Sequence, residues 1–311
     1  VRVTNPAQTN GKARPILKWA GGKTQLLAEI SQNLPPGMFK GEITRYVEAF
    51  TGGAAVFFHI AQTFPVEEYV LADINAELIL LYKTVQTHAD DLITMLAGME
   101  QHYLAREENE RKAYYYAVRE NFNQNLGGMD FSQFSGAWVQ RAAQIIFLNR
   151  TCYNGLFRVN AKGHFNVPFG RYKHPTICDA VNLQAAASLL QKALILSGDF
   201  TAIAPHVHAG TFVYFDPPYR PISKTASFNA YSTGVFGDFQ QLRLRDFFQQ
   251  LHASGAKVML SNSDPKNINP DDHFFDEAYR GFHIKRVKAA RMINSQAAKR
   301  GGINELLITN Y

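Results

Sequence analysis

The sequence predicts an α/β protein: one parallel-type sheet, interrupted by an all-helical insert that ends in a β-hairpin. Three observations carry this. Residues 45–86 read as strand, glycine turn, helix, strand, acid and helix. Residues 88–148 are helical in pattern almost throughout, and after Pro175 the alternation of strands and helices resumes.

Taken in order, residues 1–14 read as a loose polar tail without an apolar signal core. A helix is expected over 23–34, stopped by Pro35-Pro36-Gly37. A short strand at 45–50 runs into Gly52-Gly53, a helix covers 54–63, and a strand at 69–72 ends on Asp73. Residues 75–86 are helical again. The helical stretch 88–148 carries Tyr103, Tyr114, Tyr115, Tyr116 and Phe122, and Gly127-Gly128 breaks it. Alternating and turn residues over about 150–172 predict a hairpin around Asn160-Ala161-Lys162-Gly163. A helix at 183–191, a strand at 194–196 and the apolar strand 211–215 follow. A helix at 239–252 and strands at 257–260, 283–287 and 305–309 complete the pattern.

Composition sets outer bounds. At 311 residues with 46% hydrophobic content, the chain can form one large domain or two ordinary ones. No apolar run reaches the length of a membrane span, and no membrane partner is expected. The two cysteines, Cys152 and Cys178, supply neither a disulfide framework nor a Cys-rich zinc site; a reducing cytoplasm is the simplest setting and no metal is expected. The paired His206 and His208 read as a solvated loop. A net charge of +6 permits a polyanionic partner without requiring one. The basic residues cluster, however. Arg150, Arg158, Lys162, Arg171 and Lys173 lie among Tyr, Phe and Asn, and Lys285, Arg286, Lys288, Arg291, Lys299 and Arg300 lie near residue 300. A solvated face explains either cluster; basic residues interleaved with aromatics fit a nucleic-acid surface better.

The string with most chemical content is Asp216-Pro217-Pro218-Tyr219, at the end of the strand 211–215. A carboxylate and a nearby backbone carbonyl can accept both N–H bonds of an exocyclic amine, while the Tyr ring stacks on the base that carries it. N-methylation of such an amine needs its lone pair freed from ring conjugation. A plain turn after a strand is the alternative reading. Glu48-Ala49-Phe50-Thr51-Gly52-Gly53 closes the first strand with glycines that let a ligand approach the backbone. It is not G-x-G-x-x-G, which disfavours a dinucleotide. Asp73, 20 residues after Gly53, is either a ribose acceptor or a helix N-cap. In Lys18-Trp19-Ala20-Gly21-Gly22-Lys23 the indole can cover a ligand and Lys23 can neutralise a carboxylate; a Trp anchor with solvated lysines is the equal alternative.

Together these strings, with Asp73-Ile74-Asn75, resemble the DNA adenine-N6 methyltransferases, and more narrowly the Dam-type GATC-specific group, from about Pro15 to Tyr311. The resemblance implies an S-adenosylmethionine (SAM)-dependent methyltransferase fold, Rossmann-like with a seven-stranded sheet. Residues 1–78 and 176–311 would form its catalytic domain and 79–175 its target-recognition domain. It implies SAM contacts at Trp19, Lys23, Phe50, Asp73 and Asp216, and at Asp199 and Phe200 beside the cofactor's adenine. Asp216, Pro217 and Tyr219 would be catalytic. Asn149–Arg158 and Phe165–Tyr172 look like the recognition hairpin of that group. There Tyr153 would wedge into the duplex and Asn154 meet the orphaned thymine. Leu156, Arg158 and Pro168 would read bases, Tyr172 would contact DNA near the hairpin, and Lys18 would contact DNA beside the target. Arg is the usual bidentate reader of guanine, and apolar groups sense the thymine methyl. A structural arm whose Tyr and Arg pack locally is the competing reading.

Two departures stand out. Ala49 and Thr51 replace residues common in relatives, and His164 occupies a hairpin-tip position that is often acidic, which puts strictness at the outer base pair in question. The resemblance implies double-stranded DNA as partner, a monomer or weak dimer, and leaves room for a cognate restriction endonuclease in the same host. An RNA or protein-glutamine methyltransferase and a catalytically idle DNA-binding regulator are the rivals. The Asp at 216 argues against the glutamine enzymes, the long helical insert with its hairpin against the RNA enzymes, and the intact Lys23, Asp73 and Asp216 against an idle regulator.

Overall fold

The computed structural model describes residues 11–220, 236–289 and 303–311. Its strands are β1 (Arg45–Glu48), β2 (Glu68–Asp73), β3 (Ala193–Ser197), β4 (Thr211–Phe215), β5 (Lys257–Ser263), β6 (His283–Ala289) and β7 (Ile303–Thr309). They form one seven-stranded sheet in the order β3-β2-β1-β4-β5-β7-β6. β1 pairs in parallel with β2 on one side and β4 on the other, and β4 pairs in parallel with β5. All five residues of β4 are buried, as a continuous apolar run at the centre of a parallel sheet requires.

The parallel-type, seven-stranded sheet expected from the sequence is present, and its parallel run ends at β7. This strand runs antiparallel between β5 and β6, pairing Glu305 with Ser263 on one side and Val287 on the other. Successive strands that pair directly, as β6 and β7 do, run antiparallel unless a crossover intervenes. The reversal brings the start of β7 beside the end of β5. Because β1 turns toward β2 while β4 lies on its other flank, the carboxyl ends of β1 and β4 flank the point where strand order reverses, the usual ligand position in such sheets.

The helices are α1 (Leu27–Gln32), α2 (Gly37–Lys40), α3 (Ala55–Thr63), α4 (Ala76–Thr87), α5 (Ala89–Leu104), α6 (Glu108–Gln124), α7 (Gly136–Thr151), α8 (Ala180–Leu190), α9 (Asp238–Ala253) and α10 (Phe274–Ala278). The helix expected over 23–34 begins as a 3₁₀ turn, Lys23–Leu26, before α1. The stretch 88–148 is three helices. Glu107 and Glu110 form a capping box that starts α6, each satisfying a backbone donor that a helix start leaves orphaned. Asn75 caps α4, accepting from the Glu77 and Leu78 amides, so Asp73 is not that helix's cap.

The chain divides into two compact units. One holds the described residues up to Gly22, Gly52–Gln62 and Asn75–Ile195; the other holds Lys23–Thr51, Thr63–Ile74 and the described residues from Leu196 onward. The core of the second unit joins Val47, Val70, Val213, Phe215, Val258 and Leu260 of the sheet to Leu244, Phe247, Phe248 and Leu251 of α9. In the first unit α7 packs against α4, α5 and α6, and α8 against α4 and α5. Its buried Arg141 pairs with Glu77 and lies 3.4 Å from the Phe122 ring centroid. Among the described residues no helix is long and apolar enough to cross a membrane.

Candidate active site

β4 delivers Asp216 to the carboxyl edge of the sheet, where its side chain meets two donors. Lys23 Nζ lies 2.6 Å from Oδ1, and the Ser261 hydroxyl donates to the same oxygen at 3.2 Å. Ser261 comes from β5, and its hydroxyl also meets the Tyr214 hydroxyl at 2.8 Å. The Lys23 side chain is only 4% exposed, so its ammonium depends on this carboxylate for charge compensation. It also sits 4.8 Å from the Tyr219 ring centroid. Burial pushes the Asp216 carboxyl above the ordinary range, against the opposing pull of Lys23 and Ser261. The rigid turn is pinned from behind: Gln241 of α9 donates to the Pro218 carbonyl at 3.0 Å, and Asn262 donates to Gln241 at 3.3 Å. This is more than a plain turn after a strand. Lys23, Asp216 and Tyr219 come together as one cluster, with Pro217 buried between them in sequence.

The remaining expected residues of this unit lie along the same edge. The half-buried Phe50 ring packs against Phe200 at 5.6 Å, Phe215 at 6.2 Å and Phe236 at 5.6 Å. Asp73 is half-buried at the end of β2, and its carbonyl accepts from Gly198, so the Asp73 and Asp199 turns adjoin. Asp199 caps the following 3₁₀ turn through Thr201 and accepts from Arg243 of α9 at 2.9 and 2.6 Å. The Arg243 guanidinium covers Phe200, 4.6 Å from its ring centroid. Phe200 itself is buried in the core.

The other unit holds the expected DNA-contacting residues, all but Lys18 on one arm that leaves the end of α7. The Tyr153 amide donates to the Pro168 carbonyl at 2.8 Å, Gly170 to Thr151 at 2.8 Å and Asn166 to Arg158 at 3.2 Å. The Asn160 amide donates to His164 at the tip, which places the turn where the sequence predicts it. The pairing is looser than a hairpin ladder: only the isolated bridges Cys152↔Phe169 and Val159↔Phe165 form. Pro168 has no N–H to give, and Asn154 and Gly155 take left-handed conformations that break the strand. Tyr153 is 58% exposed, and Arg158, Pro168 and Tyr172 are also exposed, so these side chains are not buried by local packing. Arg158 is steadied by Asn166 at 2.8 Å. Leu156 is half-buried, Asn154 and Lys18 are exposed, and Trp19 stacks on Phe157 at 5.4 Å. Tyr115 and Asn123 of α6 anchor the inner arm through the Val167 carbonyl and the Phe165 backbone.

Two residues of weight escape sequence reasoning. Asn149, 1% exposed, accepts from the Lys18 amide and donates to the carbonyls of Lys18 and Gly155, stapling two expected strings together. Glu305 accepts the Tyr219 hydroxyl at 2.8 Å. Its signal was a lone acid inside the apolar run Ile303–Thr309. Of the basic cluster near residue 300, Arg286 pairs with Asp264 and Asp276, while Arg291, Lys299 and Arg300 lie outside the described residues.

Residues 19–293 match the D12 class N6 adenine-specific DNA methyltransferase family. The chain is 48% identical over 301 residues to the type II methyltransferase M.MjaIII of Methanocaldococcus jannaschii, which spans 96% of this chain and 100% of that one. It is 37% identical to the type II methyltransferase M1.LlaDCHI of Lactococcus lactis subsp. cremoris, over 96% of this chain and 95% of the relative. It is 36% identical to the DNA adenine methylase of Escherichia coli K12, over 95% of each. A match of this extent, on a chain that gathers Lys23, Asp216 and Tyr219 at one strand end, shows that it belongs to the D12 class N6 adenine-specific DNA methyltransferases and is an enzyme of that kind.

Proposed function

We propose that this enzyme transfers a methyl group from SAM to N6 of an adenine flipped out of duplex DNA, within GATC. The observation that carries the reading is the Lys23–Asp216–Tyr219 cluster at the end of β4. The contacts from Lys23 and Ser261 fall on Oδ1, and in this reading Oδ2 and the Pro217 carbonyl accept the two N6–H bonds of the incoming base. Accepting those bonds draws the nitrogen toward tetrahedral geometry and exposes its lone pair. Tyr219 stacks on the base and holds it in place, which is where much of the rate gain arises. Asp216 need not be a strong base, because the methylated nitrogen sheds its proton readily.

The residues present suit SAM. A half-buried aromatic, Phe50, follows the end of β1, and a half-buried acid, Asp73, ends β2, where a ribose is commonly received. Asp199 and Phe200 adjoin Asp73 through the Gly198 bond, and Lys23 supplies positive charge. Trp19 is retained as a cofactor contact on the strength of the string it shares with Lys23. SAM would supply an electrophilic methyl group, so neither a metal nor a covalent enzyme nucleophile is needed.

Residues 79–175 are assigned to target recognition. The exposed Tyr153, Asn154, Arg158, Pro168 and Tyr172 and the half-buried Leu156 line one arm, and Lys18 lies beside it at Gly155. The likeness of Asn149–Arg158 and Phe165–Tyr172 to the recognition hairpin of the GATC-specific group supports GATC as the site; the name DNA adenine methylase supports adenine in DNA as the target, and the names of two type II relatives support a restriction–modification setting. Asp216→Ala should retain DNA binding and lose methylation, read by tritiated-methyl incorporation into duplex DNA. Near-normal turnover would sink the assignment. Long-read sequencing of DNA from expressing cells should report N6-methyladenine in GATC; modification in another context would refute the site.

A further inference from the structure

We propose that Glu305 is a positioning residue of the methylation site: by accepting the Tyr219 hydroxyl, it fixes the plane of the ring and makes its face more electron-rich toward the base stacked there. The inference rests on Tyr219 being the stacking residue. Its own support lies in β7. The antiparallel course of this strand sets Glu305 opposite Ser263, at the sheet edge where β4 releases Asp216. Around it Leu306, Leu307 and Ile308 are buried apolar residues of an ordinary core strand, so the carboxylate is the exception. At 9% exposure an ionised carboxylate is costly unless it is paired, and the partner is the Tyr219 phenol at 2.8 Å.

The charges around the ring agree with this role. Lys23 lies 4.8 Å from the ring centroid, and its ammonium offsets the burial of Glu305 as well as of Asp216. A phenol that donates to a carboxylate carries more electron density in its ring, and an aromatic face attracts cationic groups through that density. As the methyl group arrives, positive charge grows on the adenine. An interaction that strengthens only then raises kcat and leaves substrate affinity alone. Glu305 takes no proton and forms no bond to substrate; it acts through Tyr219.

The experiment measures kcat and KM on a duplex oligonucleotide for Glu305→Gln, Tyr219→Phe, the double variant and Tyr219→Ala, with thermal melts on each. Glu305→Gln and Tyr219→Phe should each lower kcat by roughly ten-fold, the scale of one charge-assisted hydrogen bond, with KM little changed. Because Gln still accepts from the hydroxyl without the charge, the double variant should lose no more than Tyr219→Phe alone. Values of kcat within two-fold of wild type for both, or additive losses in the double, overturn the inference. If Glu305→Gln does not fold, Tyr219→Phe abolishes outright the hydrogen bond that Glu305→Gln only strips of its charge, and decides the question. Near-normal kcat for Tyr219→Ala overturns the stacking reading itself. Loss in Tyr219→Ala with unimpaired Tyr219→Phe and Glu305→Gln overturns only the role of Glu305.

Discussion

Asp216 is held where a carboxylate is useful and not where it is comfortable. Burial raises its proton affinity in the folded chain more than Lys23 and Ser261 lower it. A raised carboxyl binds its proton more tightly in the folded state than in the unfolded one. The folded state is therefore favoured by protonation below the unfolded value, and that advantage is lost as pH rises through the raised folded value. Asp216→Asn should accordingly match wild type in thermal melts below the unfolded value and gain on it as pH rises through the raised folded value, even as methylation is lost. A melting difference that shrinks over that range would contradict the burial argument. At this scale the sequence was legible wherever chemistry and spacing combined, as in Lys18–Lys23 and Asp216–Tyr219. It was silent on Asn149 and Glu305, whose roles depend on partners 131 and 86 residues away.

At the scale of elements the recognition arm is the informative case. Turn residues placed its tip at Asn160–Gly163, and basic–aromatic interleaving marked its exposed face, but the sequence suggested a regular ladder. A proline, two left-handed residues and a close crossing leave two bridges instead. The crossing is at Gly170, where an added Cβ would lie 2.6 Å from the Cys152 carbonyl oxygen and 2.6 Å from the Tyr172 ring. Gly170→Ala must therefore open the base of the arm. It should reduce DNA binding measured by fluorescence anisotropy while leaving SAM binding by calorimetry near normal. Asn149→Ala removes the three hydrogen bonds that this buried side chain makes to the backbone of Lys18 and Gly155; a loss of about 1–3 kcal/mol in denaturant unfolding is expected. Arg158→Ala should cost about 1–3 kcal/mol of discrimination at one base pair, read by methylation of singly substituted sites. Full retention of discrimination would remove Arg158 from the reading surface.

For the whole molecule, the α/β pattern foretold the strands and most helix boundaries, because buried parallel strands and amphipathic helices carry strong periodic signals. The position and direction of β7 were not legible: a seven-residue strand around the apolar run Leu306–Ile308 looks the same whichever neighbours it pairs with. The charge of +6 bears on the whole chain as a DNA-binding body. Binding to duplex should weaken linearly in log salt, with a slope set by the phosphates neutralised. A salt-independent affinity would exclude a phosphate-tracking surface.

The insertion of β7 between β5 and β6 also bears on how the enzyme comes into being. On the ribosome β5 emerges roughly forty residues ahead of β7. At synthesis rates of about 5–20 residues per second, its outer edge waits for seconds without a partner. That edge is a template for pairing with other nascent chains until β7 fills it. The same strand brings Glu305, so closing the sheet and completing the surroundings of Tyr219 are one event: a nascent chain lacks the finished site until its aggregation-prone edge is sealed.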